Sequence, residues 1–205
     1  MIPVVLFKQV SKELCRFVSA EMRIMESVLR ELDPQSIQQE PEFKDSYNAY
    51  CPPCLEALSL HIKPTIEKLV DKKLEPSYSY GRIYRPGAEL HKHFDRRSSE
   101  VSVSICLEKG STPWYLCAEG PDMDKPVSAD LNEGDMLVYS GAKYRHWREG
   151  PYTGDEQIQV FLQFVDINGP NADLIYDGRP GLGLPFGYKS NFVEQELRDQ
   201  LELGS

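Results

Sequence analysis

No stretch of this 205-residue sequence approaches the roughly 20 consecutive apolar residues that a membrane-spanning helix needs. The apolar start, Met1 to Phe7, is too short for a signal peptide and has no basic lead, so it reads as a first strand. Positive charge is in deficit: 23 Lys and Arg against 32 Asp and Glu give a net charge of −9 and a pI near 5.0. That balance disfavours wholesale binding to nucleic acid or to an anionic membrane surface. The cysteines number five, an odd count without a secretory lead, which points to free thiols in a reducing compartment, the cytoplasm. No second cysteine pair accompanies Cys51-Pro52-Pro53-Cys54, so a four-cysteine zinc site lacks its other half. That stretch reads instead as a turn into a helix with prolines at its first positions. Histidine is scarce as well, with four in the chain: His61, His91, His93 and His146.

What remains is ordinary for a globular chain, with 40% hydrophobic and 27% charged residues. The first part is helical. Ser11 is placed to cap a helix from Lys12 to about Leu32, with Leu14, Phe17, Val18, Met25, Val28, Leu29 and Leu32 as its apolar face. Asp33-Pro34 ends it, and residues 34 to 50 read as a loop. Leu55, Leu58, Ile62, Ile66 and Leu69 mark a second helical stretch, kinked or split at Pro64. His61 on that stretch is a structural or surface residue.

From Tyr78 onward the period falls to two. Val101, Val103, Ile105 and Leu107 alternate with Ser102, Ser104 and Cys106, the pattern of a half-buried strand. Further short strands are expected over 114–118, 127–131, 136–139 and 157–165, with turns between them. A glycine- and proline-rich tail follows to about residue 188, then a short amphipathic helix near Phe192 to Leu201. Helices followed by many short strands predict a mostly β fold, a sandwich or barrel with helices packed outside.

Within this frame Tyr84 to Asp95 stands out. His93 and Asp95 are two positions apart, and on extended chain such positions share a face. With His146 they form a set of two histidines and one carboxylate, which suits a non-haem Fe(II) site with open positions. His91 leaves an alternative, a three-histidine centre of His91, His93 and His146. Arg82, Arg85, Lys92, Arg96, Arg97, Lys143, Arg145 and Arg148 gather near these residues. They are either solvated surface charges or a reception for an anion.

The order of motifs carries a resemblance. Tyr84-x-Pro86-Gly87 leading to His93-x-Asp95, then Glu133-Gly134-Asp135-Met136-Leu137-Val138-Tyr139, His146-Trp147-Arg148-Glu149 and Gln159 to Val165 is similar to the 2-oxoglutarate and Fe(II)-dependent dioxygenases. The prolyl 4-hydroxylase-like branch is nearest in style. The resemblance implies a double-stranded β-helix (a jelly-roll barrel) with N-terminal helices packed outside. It implies one oxygenase domain: helical support over 1–76, barrel core over 77–167 and tail over 168–205. It makes His93, Asp95 and His146 the iron ligands and puts Tyr84 against 2-oxoglutarate. The implied reaction consumes O2 and 2-oxoglutarate, releases succinate and CO2, and hydroxylates a peptide side chain or small molecule, with ascorbate as a candidate reductant. The metal-binding carboxylate argues for oxygen transfer over halogenation.

One family feature is missing. Relatives place an Arg or Lys about ten positions after the distal histidine, to pair the far carboxylate of 2-oxoglutarate. Here Glu156-Gln157-Ile158-Gln159 stands in that place. Arg148 is the first replacement and Arg82 the second, with Gln159 adding hydrogen bonds and Glu156 turned outward. For Arg148 the ordinary alternative is a surface ion pair with Glu149 or Asp155. The missing cation also supports a second reading, a cupin-like metal-binding barrel that acts as a sensor or binding module.

Overall fold

The computed structural model describes residues 2–35 and 46–184. The segment 36–45 and the helix expected near Phe192 to Leu201 lie outside the described residues. The elements are β1 (Val4–Leu6), α1 (Lys12–Leu32), β2 (Tyr47–Tyr50), α2 (Pro53–Val70), β3 (Leu74–Tyr84), β4 (Val101–Glu108), β5 (Leu116–Glu119), β6 (Val127–Ala129), β7 (Met136–Tyr139), β8 (Arg145–Arg148) and β9 (Gln157–Asp166). A 3-10 stretch, Ala172–Gly178, follows β9 and is interrupted by non-helical backbone at Ile175, Tyr176 and Asp177. Among the described residues no helix is long and apolar enough to cross a membrane.

Helix α1 begins as its sequence predicts. Ser11 accepts a hydrogen bond from the Leu14 amide at 3.2 Å, and Asp33, with non-helical backbone before Pro34, ends the helix. Its buried face is Cys15, Val18, Ser19, Met22 and Glu26, flanked by Leu14, Met25 and Leu29. Phe17, Val28 and Leu32 point to solvent instead, a correction to the expected face. Apolar residues occupy two sides of this helix, and packing against the sheet selects one of them.

Helix α2 runs as one element from Pro53 to Val70 with Pro64 inside it, so of the two expected outcomes the split does not occur. Pro52 is its N-cap and Pro53 its first residue, where a missing N–H costs nothing. Cys51 is buried, and Cys54 donates to the Glu21 carboxylate at 2.6 Å. All five cysteines are free thiols.

The strands form two antiparallel sheets, a six-stranded one in the order β1-β7-β4-β9-β3-β2 and a three-stranded one in the order β6-β5-β8. Strand β2 adds an edge strand where the sequence pattern suggests a loop, and β8 is a strand that the pattern does not mark. Alternation along β4 and β9 assigns the layers. Val101, Val103, Ile105, Leu107, Ile158, Val160, Leu162 and Phe164 join the cluster under α1 and α2. At Gly81 on β3 a Cβ would stand 2.6 Å from Met22 Cε and 3.0 Å from Leu55 Cδ1, so this glycine lets both helices settle on the sheet.

The opposite face carries Ser102, Ser104, Cys106, Gln157, Gln159 and Gln163, and these are buried too. Strand β4 is therefore not half-buried. Its polar members face the space between the two sheets, where Gln159 Nε2 donates to Ser104 Oγ at 2.8 Å and Gln157 Nε2 to Gln159 Oε1 at 3.2 Å. The fold is the expected mostly β jelly roll with outer helices, and its polar interior holds the site.

Candidate metal centre

His93 and His146 are fixed opposite each other by their backbones. The His93 amide donates to the His146 carbonyl at 3.1 Å, and the His146 amide returns the bond at 2.9 Å. Their rings lie 4.2 Å apart between centroids. Asp95 is not on a strand, in contrast to the expected extended run. Its amide donates to the Gly141 carbonyl at 3.0 Å, and this bond brings the carboxylate under the two rings. Asp95 Oδ1 is 3.6 Å from Nε2 of each histidine.

The ligating atoms of His93, Asp95 and His146 all lie within 4.8 Å of one another. Their hydrogen bonds settle the tautomers. His93 Nδ1 lies 2.7 Å from the His91 carbonyl and His146 Nδ1 lies 3.2 Å from the Tyr144 carbonyl. A carbonyl only accepts, so each Nδ1 carries the proton and each Nε2 presents a lone pair toward Asp95. The donor set and the tautomers fit a divalent metal bound on one face. His146 is 5% exposed at its side chain and His93 39%, so access to the centre lies on the His93 side.

Without a metal, the acidities of His93 and Asp95 follow their contacts within the triad. The Asp95 carboxylate, opposed by burial, raises the pKa of His93. Burial pushes Asp95 upward, but its contacts with His146 and His93 outweigh that and hold the carboxyl well below its ordinary range. The tyrosine behind His146 is Tyr139, at 5.0 Å between rings, and burial raises its hydroxyl well above the ordinary value. His91 stays out of the cluster. Its imidazole is 59% exposed and 3.6 Å from Glu89, which corrects the three-histidine alternative. A chain direction that delivers the His91 carbonyl to His93 turns the His91 ring outward.

The triad opens into a cavity of about 280 Å³, whose walls include Tyr50, Tyr78, Tyr80, Tyr84, Arg82 and Arg96. The tyrosines 78, 80 and 84 sit at even positions of β3, and their period-two spacing in the sequence is the signal for this wall. Arg82 is in register with Gln159 on β9, with its guanidinium 5.3 Å from the Tyr80 ring and 5.6 Å from the Tyr84 ring. Its Nη2 donates to Tyr80 Oη at 3.2 Å. Gln159 is fully buried and spends its amide on Ser104.

Arg148 is on the same face of β8 as His146, two positions on, and is buried. It does not line the cavity; it lies beyond Tyr84, 5.8 Å from that ring and 4.7 Å from the Trp114 ring. Its Nη1 donates to the Trp114 carbonyl, while Nε and Nη2 are buried without a hydrogen-bond partner. The surface ion pair with Glu149 or Asp155 does not form. Asp155 instead accepts from the backbone amides of Ser111 and Glu156, both at 2.8 Å. Burial lowers the pKa of Arg148, and the groups that push it back are tyrosines and cysteines, not carboxylates. A desolvated guanidinium with idle donors is costly, and a bound anion would satisfy it.

Glu156 turns outward to Arg23 at 2.7 Å and Arg85 at 3.1 Å. Most of the other basic residues near the site are likewise paired on the surface, Lys92 with Glu119 at 2.7 Å, Arg97 with Asp173 at 2.6 Å and Lys143 with Asp122 at 2.9 Å.

No family model matches the sequence, and no curated protein matches it. Solved structures do. The chain is similar to a Pseudomonas putida prolyl-4-hydroxylase, with 17% identity over 79% of this chain and 91% of that one at a TM-score of 0.60. It is similar to the non-heme alpha ketoglutarate dependent epimerase SnoN from nogalamycin biosynthesis, with 13% identity over 89% and 86% at a TM-score of 0.66. HygX from Streptomyces hygroscopicus, solved with nickel and 2-oxoglutarate bound, matches at 12% identity over 81% and 83% with a TM-score of 0.61. At these identities the likeness establishes the fold, the jelly roll of the 2-oxoglutarate and Fe(II) oxygenases.

Proposed function

We propose that this protein is a non-haem Fe(II) and 2-oxoglutarate-dependent dioxygenase that hydroxylates a peptide side chain or a small molecule and releases succinate and CO2. The observation that carries the reading is the joint presence of a two-histidine, one-carboxylate face and a buried arginine with idle donors in the same barrel. The triad alone would also suit a structural ion, and the arginine alone a packing role; together they fit a metal and a dianion. HygX and the viral collagen prolyl hydroxylase of Paramecium bursaria Chlorella virus-1, both solved with 2-oxoglutarate, support the cosubstrate.

In this reading His93, Asp95 and His146 hold Fe(II), which supplies the O2 chemistry when bound. The chain's own part is placement. The backbone bridge between His93 and His146 fixes the two imidazoles, and the carbonyls of His91 and Tyr144 hold their tautomers. Arg148 receives the far carboxylate of 2-oxoglutarate, with the Tyr84 hydroxyl beside it and Gln159 on the neighbouring strand. Arg82 is the alternative anchor, favoured by its place in the cavity wall. The aromatic walls exclude water from the reacting end. Five free thiols suit a reducing compartment, and we place the protein in the cytoplasm.

Incubation with Fe(II), ascorbate and 2-oxoglutarate tests the reading. Succinate should form, and it should vanish when the metal is chelated. Metal binding without succinate under any substrate pool would favour the sensor or binding-module reading, whose support is the absence of a basic residue over Glu156-Gln157-Ile158-Gln159.

A further inference from the structure

We infer that Arg96 recognises a carboxylate on the primary substrate, with Asp177 as the residue that positions it. This rests on the oxygenase reading for its purpose, not for its geometry. Arg96 follows the metal-site Asp95 in the chain and lines the same cavity. Its guanidinium lies 4.1 Å from the centre of the Tyr78 ring, and Tyr78 stacks on Tyr50 at 5.8 Å with 18° between the planes. An arginine on an aromatic shelf keeps its charge at a defined height.

Behind it, Nη2 donates to Asp177 Oδ2 at 2.8 Å and to Tyr50 Oη at 3.4 Å, and Tyr50 Oη itself donates to Asp177. The burial is lopsided. The Asp177 side chain is 5% exposed and the Arg96 side chain 47%. Asp177 thus holds Arg96 from the protein side through Nη2, while close to half of the Arg96 side chain stays exposed along the cavity. That exposed edge of the guanidinium is what a ligand meets.

The carboxylate of Asp177 reaches this place through three successive left-handed residues, Tyr176 (φ 53°), Asp177 (φ 57°) and Gly178 (φ 74°). Two of these are not glycine, so the turn is held against its own preference. The next residue supplies the hold: Arg179 is buried, donating to Glu56 at 2.6 Å and to the Tyr176 carbonyl. Asp177 offsets part of the charge of Arg96, which argues against a site for a dianion and for a single carboxylate. The tyrosine and phenylalanine walls suit an apolar or ring-shaped body between that carboxylate and the metal.

The test uses phenylacetate and its uncharged isostere phenylacetamide, titrated into the metal-free protein by NMR. Wild type should bind the acid at least about tenfold tighter than the amide, the order expected of a charge-assisted hydrogen bond. Arg96→Gln should bring the two within about twofold, Arg96→Lys should keep part of the preference, and Asp177→Asn should lose several-fold. Melting temperatures report whether each variant is folded. Equal binding of acid and amide, absence of binding by either at millimolar concentration, or a preference that survives in Arg96→Gln overturns the proposal. Displacement of phenylacetate by 2-oxoglutarate in zinc-loaded protein would make Arg96 a cosubstrate residue and overturn it equally. Failure of the oxygenase reading shows separately, as absence of succinate.

Discussion

The carboxylate of Asp95 occupies the space that a side chain at Gly141 would fill. A Cβ built on Gly141 collides with Asp95 Oδ2 and stands 2.6 Å from Ser102 Oγ, which itself accepts the Gly141 amide at 3.1 Å. The Gly141 carbonyl in turn receives the Asp95 amide. The strand β7 end and the metal-site loop are therefore coupled through one residue without a side chain. Gly141→Ala should displace Asp95 and weaken nickel or iron binding by about tenfold or more, at a stability cost of roughly 1–3 kcal/mol. Metal titration of the folded variant checks it; unchanged metal affinity would show that the loop relaxes freely.

Asp95→Ala should abolish metal-dependent succinate formation and leave the fold in place. The side chain is held by His93 and His146, while the backbone bond to Gly141 survives truncation. Near-normal turnover of a folded Asp95→Ala protein would remove Asp95 from the ligand set.

The triad was legible from a short motif, His93-x-Asp95, together with the order of motifs that ties it to His146 much further along the chain. The strands after Tyr78 other than β8 were legible from local patterning, because alternation and turn residues are read within a few positions. What the pattern could not give was the environment of each face. The serines of β4 look like a solvent face and are buried, because a second sheet closes over them. Phe17, Val28 and Leu32 look like core and are exposed, because α1 is apolar on more than one side. Arg148 could be read equally as a surface or an interior residue, since its neighbours Trp114 and Tyr84 come from segments far away in sequence. Arg96 was one of eight nearby basic residues, and nothing in the chain linked it to Asp177.

Glu26 joins α1 to the barrel. It is buried, and its Oε1 receives Arg30 and Arg85, both at 2.7 Å. Burial raises its pKa, but the two guanidiniums outweigh this and the net direction is down. A carboxyl lower in the folded state stabilises above its unfolded value of about 4.3 and loses that contribution as pH falls through its folded value. Glu26→Gln should therefore cost roughly 1–3 kcal/mol near neutrality. Urea unfolding of both proteins along a pH series should show the gap narrowing toward acid. A gap that is constant with pH would mean that packing, not charge, is lost.

Arg148 is where the chain departs from the pattern it resembles, and its cost to the fold makes the anchor testable from two sides. A guanidinium buried among Tyr84, Trp114 and Cys106 with idle donors is a poor choice for stability. Replacing it by an apolar residue of similar length should leave the melting temperature unchanged or raise it, as replacement of other buried charges has done. The same change should raise the 2-oxoglutarate requirement by a factor on the order of a hundred, since breaking a buried charge pair costs about 3–5 kcal/mol. Arg148→Met and Arg148→Ala, titrated with 2-oxoglutarate against the metal-centred absorbance of the Fe(II) protein without oxygen, read this directly. Iron affinity should hardly move, because Arg148 touches none of the three ligands' hydrogen bonds. Arg82→Ala and Tyr84→Phe are the companions, with smaller effects expected from each. If Arg148→Met is destabilised and titrates like wild type, the arginine is structural. Arg82, in the cavity wall opposite Gln159, then becomes the anchor.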